Sequence, residues 1–576
     1  MASDSNKASA VRPLRRGKAC FNCRHLKIKC DGERPMCGPC IRVPKDDPCE
    51  YADTMSRTQE LQDTVHRLQS RIDELQAQTG TAGPSRLFSP YPSHSSMRGS
   101  PFSEHSAGSH RSYMSDDAPD FDEPPFPMIQ LLIQSFLPHA LQFGFFLDIQ
   151  RFHDAALLPL PMGDPLRPSP ALLCVVYLWG VRLSQLQPLL ASEPTFLRRA
   201  QQHISTAISS VLESSSTVIY TIQAQILLST YLFRVNRLLE AEVHVNGAAT
   251  LALRYGLHRI RSSRAHSPSL SAQLSLSMTQ STDAVHEGER IRGFWALASL
   301  QSHICVTQNG SSTSAAFCVL EGPAADIDTP WPLEITDYAN GGLHSGYRGQ
   351  ESIRHLMTDD TFNAGSPVSL LLAKASVLMY RATRLAATKL SNLSPQQTTS
   401  HLAACSLLDR RLTQFWQSLP PIYTVYSDGS SARCLAMTHA LTAGAVLKVH
   451  SSSSRSTATR GASVNTSHQR TLFAARTILE ALGDIRIPDR AIAHPVVGSL
   501  GFFACKTLIE EFQRVRTSDW SIRTPTTAHH GQHYNSEVTA LMVEVNAGLA
   551  TMQVYAADSP LVDHQLQQLR RDYDGL

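Results

Sequence analysis

Residues 20–49 read CFNCRHLKIKCDGERPMCGPCIRVPKDDPC, and this stretch holds six of the twelve cysteines in a chain of 576 residues. The six form two similar halves, each with a Cys-x-x-Cys pair followed by one further cysteine. Thiolates at this spacing can face one metal ion, and tetrahedral Zn²⁺ takes four of them at about 2.3 Å. The sequence therefore predicts a zinc–thiolate centre whose ligands are Cys20, Cys23, Cys30, Cys37, Cys40 and Cys49.

The number of ions follows from counting ligands. Six thiolates can serve one ion with two thiols left over, or two ions if two of the sulfurs each bind both metals, because four terminal and two bridging sulfurs fill eight positions. The duplicated pattern favours two Zn²⁺ per chain. Clustered cysteines also form disulfides, but mainly in short secreted chains. Residues 1–18 lack the apolar run of a secretion signal, and no apolar run in the chain reaches the length of a membrane helix.

Positive charge is concentrated beside these cysteines. Residues 1–50 hold eleven Lys and Arg against six Asp and Glu, whereas the rest of the chain has a net charge of −2. Basic side chains on a short helix that begins near Phe21 could reach guanine acceptors in the major groove of double-stranded DNA. A solvated basic face or a nuclear localisation signal is the alternative interpretation. The predicted DNA-contacting residues are Lys27, Ile28, Arg24, Lys29, Arg15, Arg16 and Lys18, of which Arg24, Lys29 and the upstream three are expected to contact phosphate.

The segment Ala19–Cys40, with its Arg24-His25-Leu26-Lys27-Ile28-Lys29-Cys30-Asp31 run, resembles the fungal binuclear zinc-cluster transcription factors. The resemblance implies that Cys20 and Cys37 bridge two zinc ions. By the same comparison, Lys27 contacts a CGG-type triplet. It further implies a nuclear, sequence-specific regulator of transcription by RNA polymerase II that works with the transcription machinery or with co-regulators.

A dimerisation helix is predicted a few residues after the cysteines. Apolar residues recur there at alternating steps of four and three, with β-branched side chains at one seam position and leucine at the other, which favours a parallel two-stranded coiled coil and a homodimer. The pattern covers only about two and a half heptads, so a helix packed on the rest of the protein would fit it too. The seam residues are Leu61, Val65, Leu68, Ile72 and Leu75.

Most of the remaining chain is predicted to be one large α-helical regulatory domain, so that the fold class is mainly α. Between Gly80 and Pro125, 22 of 46 residues are Ser, Gly or Pro, a composition that indicates a disordered linker. The predicted divisions are a basic arm at 1–15, the zinc cluster at 16–51, a linker at 52–57, the coiled coil at 58–78, a linker at 79–125 and the helical domain at 126–576.

The helical part carries a second resemblance, to the fungal-specific transcription factor domain, over roughly residues 130–340. The similar segments are Gln223–Leu228, Leu257–Arg259, Arg290–Leu297 and Asp326–Pro332. The family usually has an aspartate where this chain has Ala298–Gln301. Trp295 and Phe294 are expected to be core residues.

Common enzyme motifs are missing from the sequence, which has no G-x-S-x-G, no phosphate-binding G-x-x-x-x-G-K-[ST] and no H-E-x-x-H. The chain is therefore expected not to be an enzyme. Two rival functions are a zinc-stabilised adaptor for protein interactions and a metal-responsive thiolate sensor, neither of which would read bases. A small-molecule effector is compatible with a regulatory domain, but no residue pattern supports one.

Overall fold

The structure is a computed structural model, and its described residues fall into two compact units, one within residues 1–116 and one within 117–576. As the sequence predicts, the described residues are mainly α-helical, and their only bridge of the β type is an isolated one between Ser262 and Gly349. None of the helices in these ranges combines the length and apolar composition that a membrane crossing requires. The described residues are 19–42, 49, 123–210, 215–263, 281, 283–310, 318–321, 327–344, 346–358, 362, 365–422, 429–454, 462–484, 493–520 and 528–575.

The first unit contains two short helices, α1 (Phe21–His25) and α2 (Gly38–Arg42). The second unit, called the body below, contains the rest. Its helices are α3 (Phe126–Phe136), α4 (Ile149–Ala156), α5 (Pro170–Ser184), α6 (Gln187–Leu190), α7 (Glu193–Ser210), α8 (Ser215–Arg234), α9 (Leu238–Arg254), α10 (Ala284–Thr307), α11 (Ile335–Ala339), α12 (Ser352–Thr358), α13 (Val368–Ala387), α14 (Pro395–Ser418), α15 (Gly429–Ser454), α16 (Ala462–Asp484), α17 (Val496–Trp520), α18 (Ala528–Ala556) and α19 (Pro560–Asp574).

The predicted basic arm (1–15), the linker at 52–57 and the coiled coil at 58–78 all lie outside the described residues, as does the second linker up to residue 122. They remain predictions. Glu123 belongs to the predicted linker but is held by the body. Its two carboxylate oxygens accept hydrogen bonds from the Arg167 guanidinium at 2.7 Å each, and Oε1 accepts another from the Tyr177 hydroxyl at 2.5 Å.

Local sequence explains where individual helices begin and end. Helix α5 begins after Ser169, whose Oγ accepts a hydrogen bond from the Leu172 amide, and has a proline at its first position. It is apolar on nearly all sides, and twelve of its fifteen residues are buried, as expected for a helix inside a core. Helix α9 ends before Gly256, which adopts a φ of +73°. Glycine is favoured in this left-handed conformation after a helix because it has no Cβ.

Helix α10 lies at the centre of the body and packs against α8, α9, α11, α13 and α17. Its Phe294 and Trp295 are buried, as predicted. The Trp295 ring stacks on Trp331 at 4.0 Å between centroids, and its Nε1 donates to the Pro330 carbonyl at 2.6 Å. The backbone oxygen of His258 accepts hydrogen bonds from the amides of Asp328 and Thr329. Three of the segments that carry the second resemblance therefore meet beside α10.

A partly buried ionic cluster connects the C-terminal part of the body to α5 and α8. The Asp558 carboxylate accepts from the guanidinium groups of both Arg182 and Arg234, and Arg234 is 1% exposed. The Arg234 side chain also donates to the backbone oxygens of Asp558 at 3.1 Å and Ala493 at 3.3 Å. A buried guanidinium needs such partners because an unpaired buried charge costs several kcal/mol.

Candidate metal centre

The first half of the cysteine segment is organised by α1. Cys20 precedes the helix as its N-cap, and its Sγ accepts a hydrogen bond from the Cys23 amide at 3.4 Å. This arrangement satisfies one of the amide groups that the first turn of a helix leaves without a partner. It also explains the two-residue spacing, because both sulfurs of the pair come to the same end of the helix. The two side chains are fully buried.

Lys27 occupies a position in the backbone that normally belongs to glycine. Its φ is +54°, and it follows directly after α1 and the cap residue Leu26. The Lys27 amide donates to the Arg24 oxygen at 3.3 Å, and the Ile28 amide donates to the Cys23 oxygen at 3.0 Å. These two bonds are the Schellman pattern, in which the residue with positive φ is usually glycine because it has no Cβ. A lysine side chain is therefore kept here at a conformational cost.

The second half is organised by α2 and connected to the first half by Asp31. The Gly38 amide at the start of α2 donates to both oxygens of the Asp31 carboxylate, at 2.8 and 3.1 Å. A Cβ on Gly38 would stand 2.4 Å from Asp31 Oδ2, so this close approach requires glycine. The Cys40 amide donates to the Cys37 oxygen at 2.9 Å, and the Cys37 amide donates to Cys49 Sγ at 3.4 Å.

The six sulfurs form two groups of four that have two members in common. One group contains Cys20, Cys23, Cys30 and Cys37, and the other contains Cys20, Cys37, Cys40 and Cys49, with all sulfurs of a group within 4.8 Å of one another. The shared sulfurs are those of Cys20 and Cys37.

The sulfur separations test whether zinc fits these groups. The Sγ of Cys37 lies 3.6 Å from that of Cys20, 3.6 Å from that of Cys23 and 3.7 Å from that of Cys49, and the Sγ atoms of Cys20 and Cys40 are 3.9 Å apart. The edge of a tetrahedron with metal–sulfur bonds of about 2.3 Å is about 3.8 Å. The observed separations match that edge, so both groups have the size that a zinc ion needs.

Burial governs the protonation of these thiols in the absence of a metal. Burial raises the pKa of Cys20 to about 12, and it also raises the pKa values of Cys23 and Cys37. The pKa of Cys40 is lowered, chiefly by its hydrogen bond with Cys37. Metal binding must therefore displace protons from buried thiols, and zinc supplies the positive charge that stabilises the thiolates. Metal binding and folding of so small a segment are one equilibrium.

The predicted DNA-contacting residues that the structure describes lie together on the surface. Arg24, Lys27, Ile28 and Lys29 are all exposed, in and directly after the last turn of α1, while Cys23 and Cys30 on either side are buried. The side chains therefore project from a segment that is fixed by sulfur atoms at both ends. Arg15, Arg16 and Lys18 lie outside the described residues, as do all five predicted seam residues from Leu61 to Leu75.

Paired four-sulfur groups of zinc size beside an exposed basic turn define a small zinc–thiolate domain with a surface suited to a polyanion. In a comparison with protein families, residues 18–58 match the fungal Zn(2)-Cys(6) binuclear cluster domain. This match supports a zinc-binding, DNA-binding role of the transcription-factor type for residues 18–58. No curated protein and no solved structure matched the chain.

Sequence reasoning missed two residues that shape this domain, Asp31 and Gly38. They are seven positions apart, and their contact depends on the chain reversal between Cys30 and Cys37. A carboxylate directly after the third cysteine and a glycine directly after the fourth were the available signals. The first is a helix-capping residue type, and the second is the residue that a close backbone approach needs.

Proposed function

We propose that this chain is a nuclear transcription factor that reads CGG-type half-sites in double-stranded DNA as a homodimer and regulates transcription by RNA polymerase II. The observation that carries the proposal is the match of residues 18–58 to the binuclear cluster domain, in a segment whose sulfurs form two groups of zinc size. The basic turn from Arg24 to Lys29 supports it, because its charged side chains are exposed on the surface of the domain.

The metal component of the proposal is two Zn²⁺ per chain, with Cys20 and Cys37 as bridges. Supporting this, the two sulfurs that belong to both groups are those of Cys20 and Cys37. Native mass spectrometry of the full chain should give two zinc ions for the parent, and Cys20→Ala should lose both because it removes a ligand from each site. Cys174→Ala, which changes a buried thiol of the body, is the matched control and should keep two. A parent with one ion contradicts the bridged arrangement.

The DNA component assigns different roles to the basic residues. Lys27 and Ile28 lie beyond the end of α1 and face the bases, whereas Arg24, Lys29 and the upstream Arg15, Arg16 and Lys18 contact phosphate. Base contacts give sequence preference, and phosphate contacts give affinity without preference. Binding of the full chain to CGG-containing and scrambled duplexes tests the proposal directly. Equal affinity for the two duplexes would instead favour the adaptor or sensor function.

The dimer component depends on the heptad pattern of residues 58–78. One zinc cluster covers a triplet, which is too short to define a genomic site, so two clusters held by one seam would supply the missing specificity. Leu68→Asp places a charge in the seam and should remove the preference for paired over single triplets while zinc content stays at the parent value. Ser70→Asp places the same charge on the opposite side of the predicted helix and should change neither. If the parent binds single and paired triplets with equal affinity, the homodimer is contradicted.

The predicted helical domain, residues 126–576, is proposed to be a regulatory domain of the fungal-specific transcription factor type that acts on the transcription machinery or on co-regulators. The meeting of the Leu257–Arg259, Arg290–Leu297 and Asp326–Pro332 segments beside α10 supports this assignment. Truncation after residue 125 should change transcriptional output from a reporter with paired CGG triplets. Unchanged output under all growth conditions contradicts a regulatory role.

A further inference from the structure

The body contains a concave, mainly apolar cavity of the kind that binds small organic ligands. It lies between α10, α13 and the segment from Leu141 to Phe146, with further walls from α8 and α15. Aromatic and aliphatic side chains form most of its surface. They include Phe143, Phe145, Phe146, Trp295, Leu300 and Leu372.

A charged side chain with no hydrogen-bond or ion-pair partner among the described residues lines this apolar cavity. Arg292 of α10 is 8% exposed, yet among the described residues no hydrogen bond and no ion pair is formed by its guanidinium. Burial lowers the Arg292 pKa, and the surrounding carboxylates, of which Glu334 has the largest effect, oppose that shift without overcoming it. Because arginine stays protonated in proteins, the cavity contains a buried positive charge whose desolvation is only partly compensated by these carboxylates.

Glu334 also lines the cavity and could in principle neutralise Arg292. Its Oε1 instead accepts a hydrogen bond from the Ser369 amide at 3.1 Å, and it is only partly buried. Arg234, another buried arginine of the body, shows the contrast, because it has the Asp558 carboxylate and two backbone oxygens around it. Arg292 has no such set of acceptors among the described residues.

Three further polar atoms on the cavity wall are buried without a hydrogen-bond partner among the described residues. They are Gln142 Nε2, Ser369 Oγ and His303 Nδ1. The amide nitrogen is a donor, the hydroxyl can donate or accept, and burial lowers the pKa of His303 to about 3, so its ring is neutral. Buried polar atoms are nearly always paired in folded proteins. Several such atoms on a wall that also carries a guanidinium point to a ligand with acceptor oxygens.

We propose that this cavity binds a small organic monocarboxylate, whose acid group pairs with the Arg292 guanidinium and whose apolar part lies against the aromatic wall. A carboxylate matches the fork of guanidinium donors and leaves an oxygen for Gln142 or Ser369. One negative charge suffices, because Arg292 is the one cationic side chain among the described residues of the wall, while burial keeps His303 and His494 neutral. The site lies within the body and does not depend on DNA binding by the zinc domain.

Calorimetric titration of the full chain with matched acids and amides tests this proposal. The probes are 4-phenylbutanoate against 4-phenylbutanamide and octanoate against octanamide, since each pair differs only in the charged group. At least one acid should bind more than tenfold tighter than its amide. Arg292→Gln should abolish that difference, while Arg354→Gln, which makes the same change on an exposed side chain of α12, should preserve it.

A second variant locates the binding site without changing the charge. Ser299→Phe fills the cavity from α10 and should weaken acid binding at least tenfold with Arg292 intact. The proposal is overturned if no acid binds at millimolar concentration, if acid and amide bind equally to the parent, or if Arg292→Gln keeps the preference. Should Arg292→Gln fail to fold, the acid-to-amide comparison on the parent and the Ser299→Phe result decide.

Discussion

Replacing Lys27 separates the contribution of its side chain from that of its backbone. Lys27 has a φ of +54° and closes α1 with a Schellman pattern, in which glycine is the unstrained residue. Lys27→Ala removes the base-contacting amine and keeps the strained backbone, whereas Lys27→Gly removes both the amine and the strain. The left-handed conformation costs a residue with a Cβ about 1 kcal/mol.

The expected magnitudes follow from these two contributions. Losing a base contact costs about 1–3 kcal/mol, which is roughly a 5- to 140-fold weaker affinity for the preferred DNA in both variants. Lys27→Gly, but not Lys27→Ala, relieves the backbone strain and should bind zinc about fivefold more tightly than the parent. The reason is that folding of this segment and metal binding are one equilibrium. The two variants should therefore bind DNA alike and zinc differently.

The assay is fluorescence anisotropy with the full chain, on duplexes with paired CGG triplets and on scrambled duplexes, at several salt concentrations. Lys29→Ala is the control for a phosphate contact. It should weaken binding to both duplexes and reduce the slope of log affinity against log salt by about 0.9, since one fewer counterion is released. Zinc affinity is measured in parallel by competition with a chelator. If Lys27→Gly keeps the parent preference for CGG triplets, the reasoning is refuted.

Three further predictions concern stability and metal. Gly38→Ala places a Cβ 2.4 Å from the Asp31 carboxylate and should therefore weaken zinc binding by about 1–3 kcal/mol, measured by chelator competition. Gly365→Ala is the control, because its Cβ would meet no atom within 4 Å and zinc affinity should stay at the parent value. Asp558→Ala leaves Arg234 buried without its carboxylate partner and should destabilise the body by about 3–5 kcal/mol in chemical denaturation. The control is Asp572→Ala, which changes an exposed aspartate. Equal denaturation midpoints for the parent and Asp558→Ala would contradict the role of the ionic cluster. Zinc removal should abolish DNA binding and leave the thermal transition of the body unchanged, because the described residues of the body include no metal-binding group; a shift of that transition would contradict this separation.

The sequence predicted the sulfur cluster well because ligand spacing is a local property. A Cys-x-x-Cys pair brings two sulfurs to one helix end, and the structure shows this for Cys20 and Cys23. The C-terminal role of Gly256 was predictable for the same reason, since a glycine after a helical pattern has one common use. The mainly α fold followed from apolar periodicity, which also depends only on neighbouring residues.

The cavity around Arg292 could not be predicted, because its wall is assembled from residues between Leu141 and His494. Within α10 the pattern indicates a buried helix, and nothing in it distinguishes a residue that faces packed atoms from one that faces empty space. The contact of Glu123 with Arg167 and Tyr177 was missed for a related reason. Composition averages over many residues, and one paired carboxylate near the end of a polar stretch does not change the average.

The ionic cluster at Asp558 also has a consequence for the synthesis of this protein. Arg234 precedes Asp558 by 324 residues. At a translation rate of about 5–20 residues per second, a nascent chain holds Arg234 for roughly 15–65 s before its carboxylate partner has been made. During that interval α5 and α8 cannot complete their buried ion pairs, and their apolar faces remain available to other chains. The body is therefore expected to rely on chaperones until its last helices leave the ribosome, and nonsense mutations upstream of Asp558 should yield insoluble product.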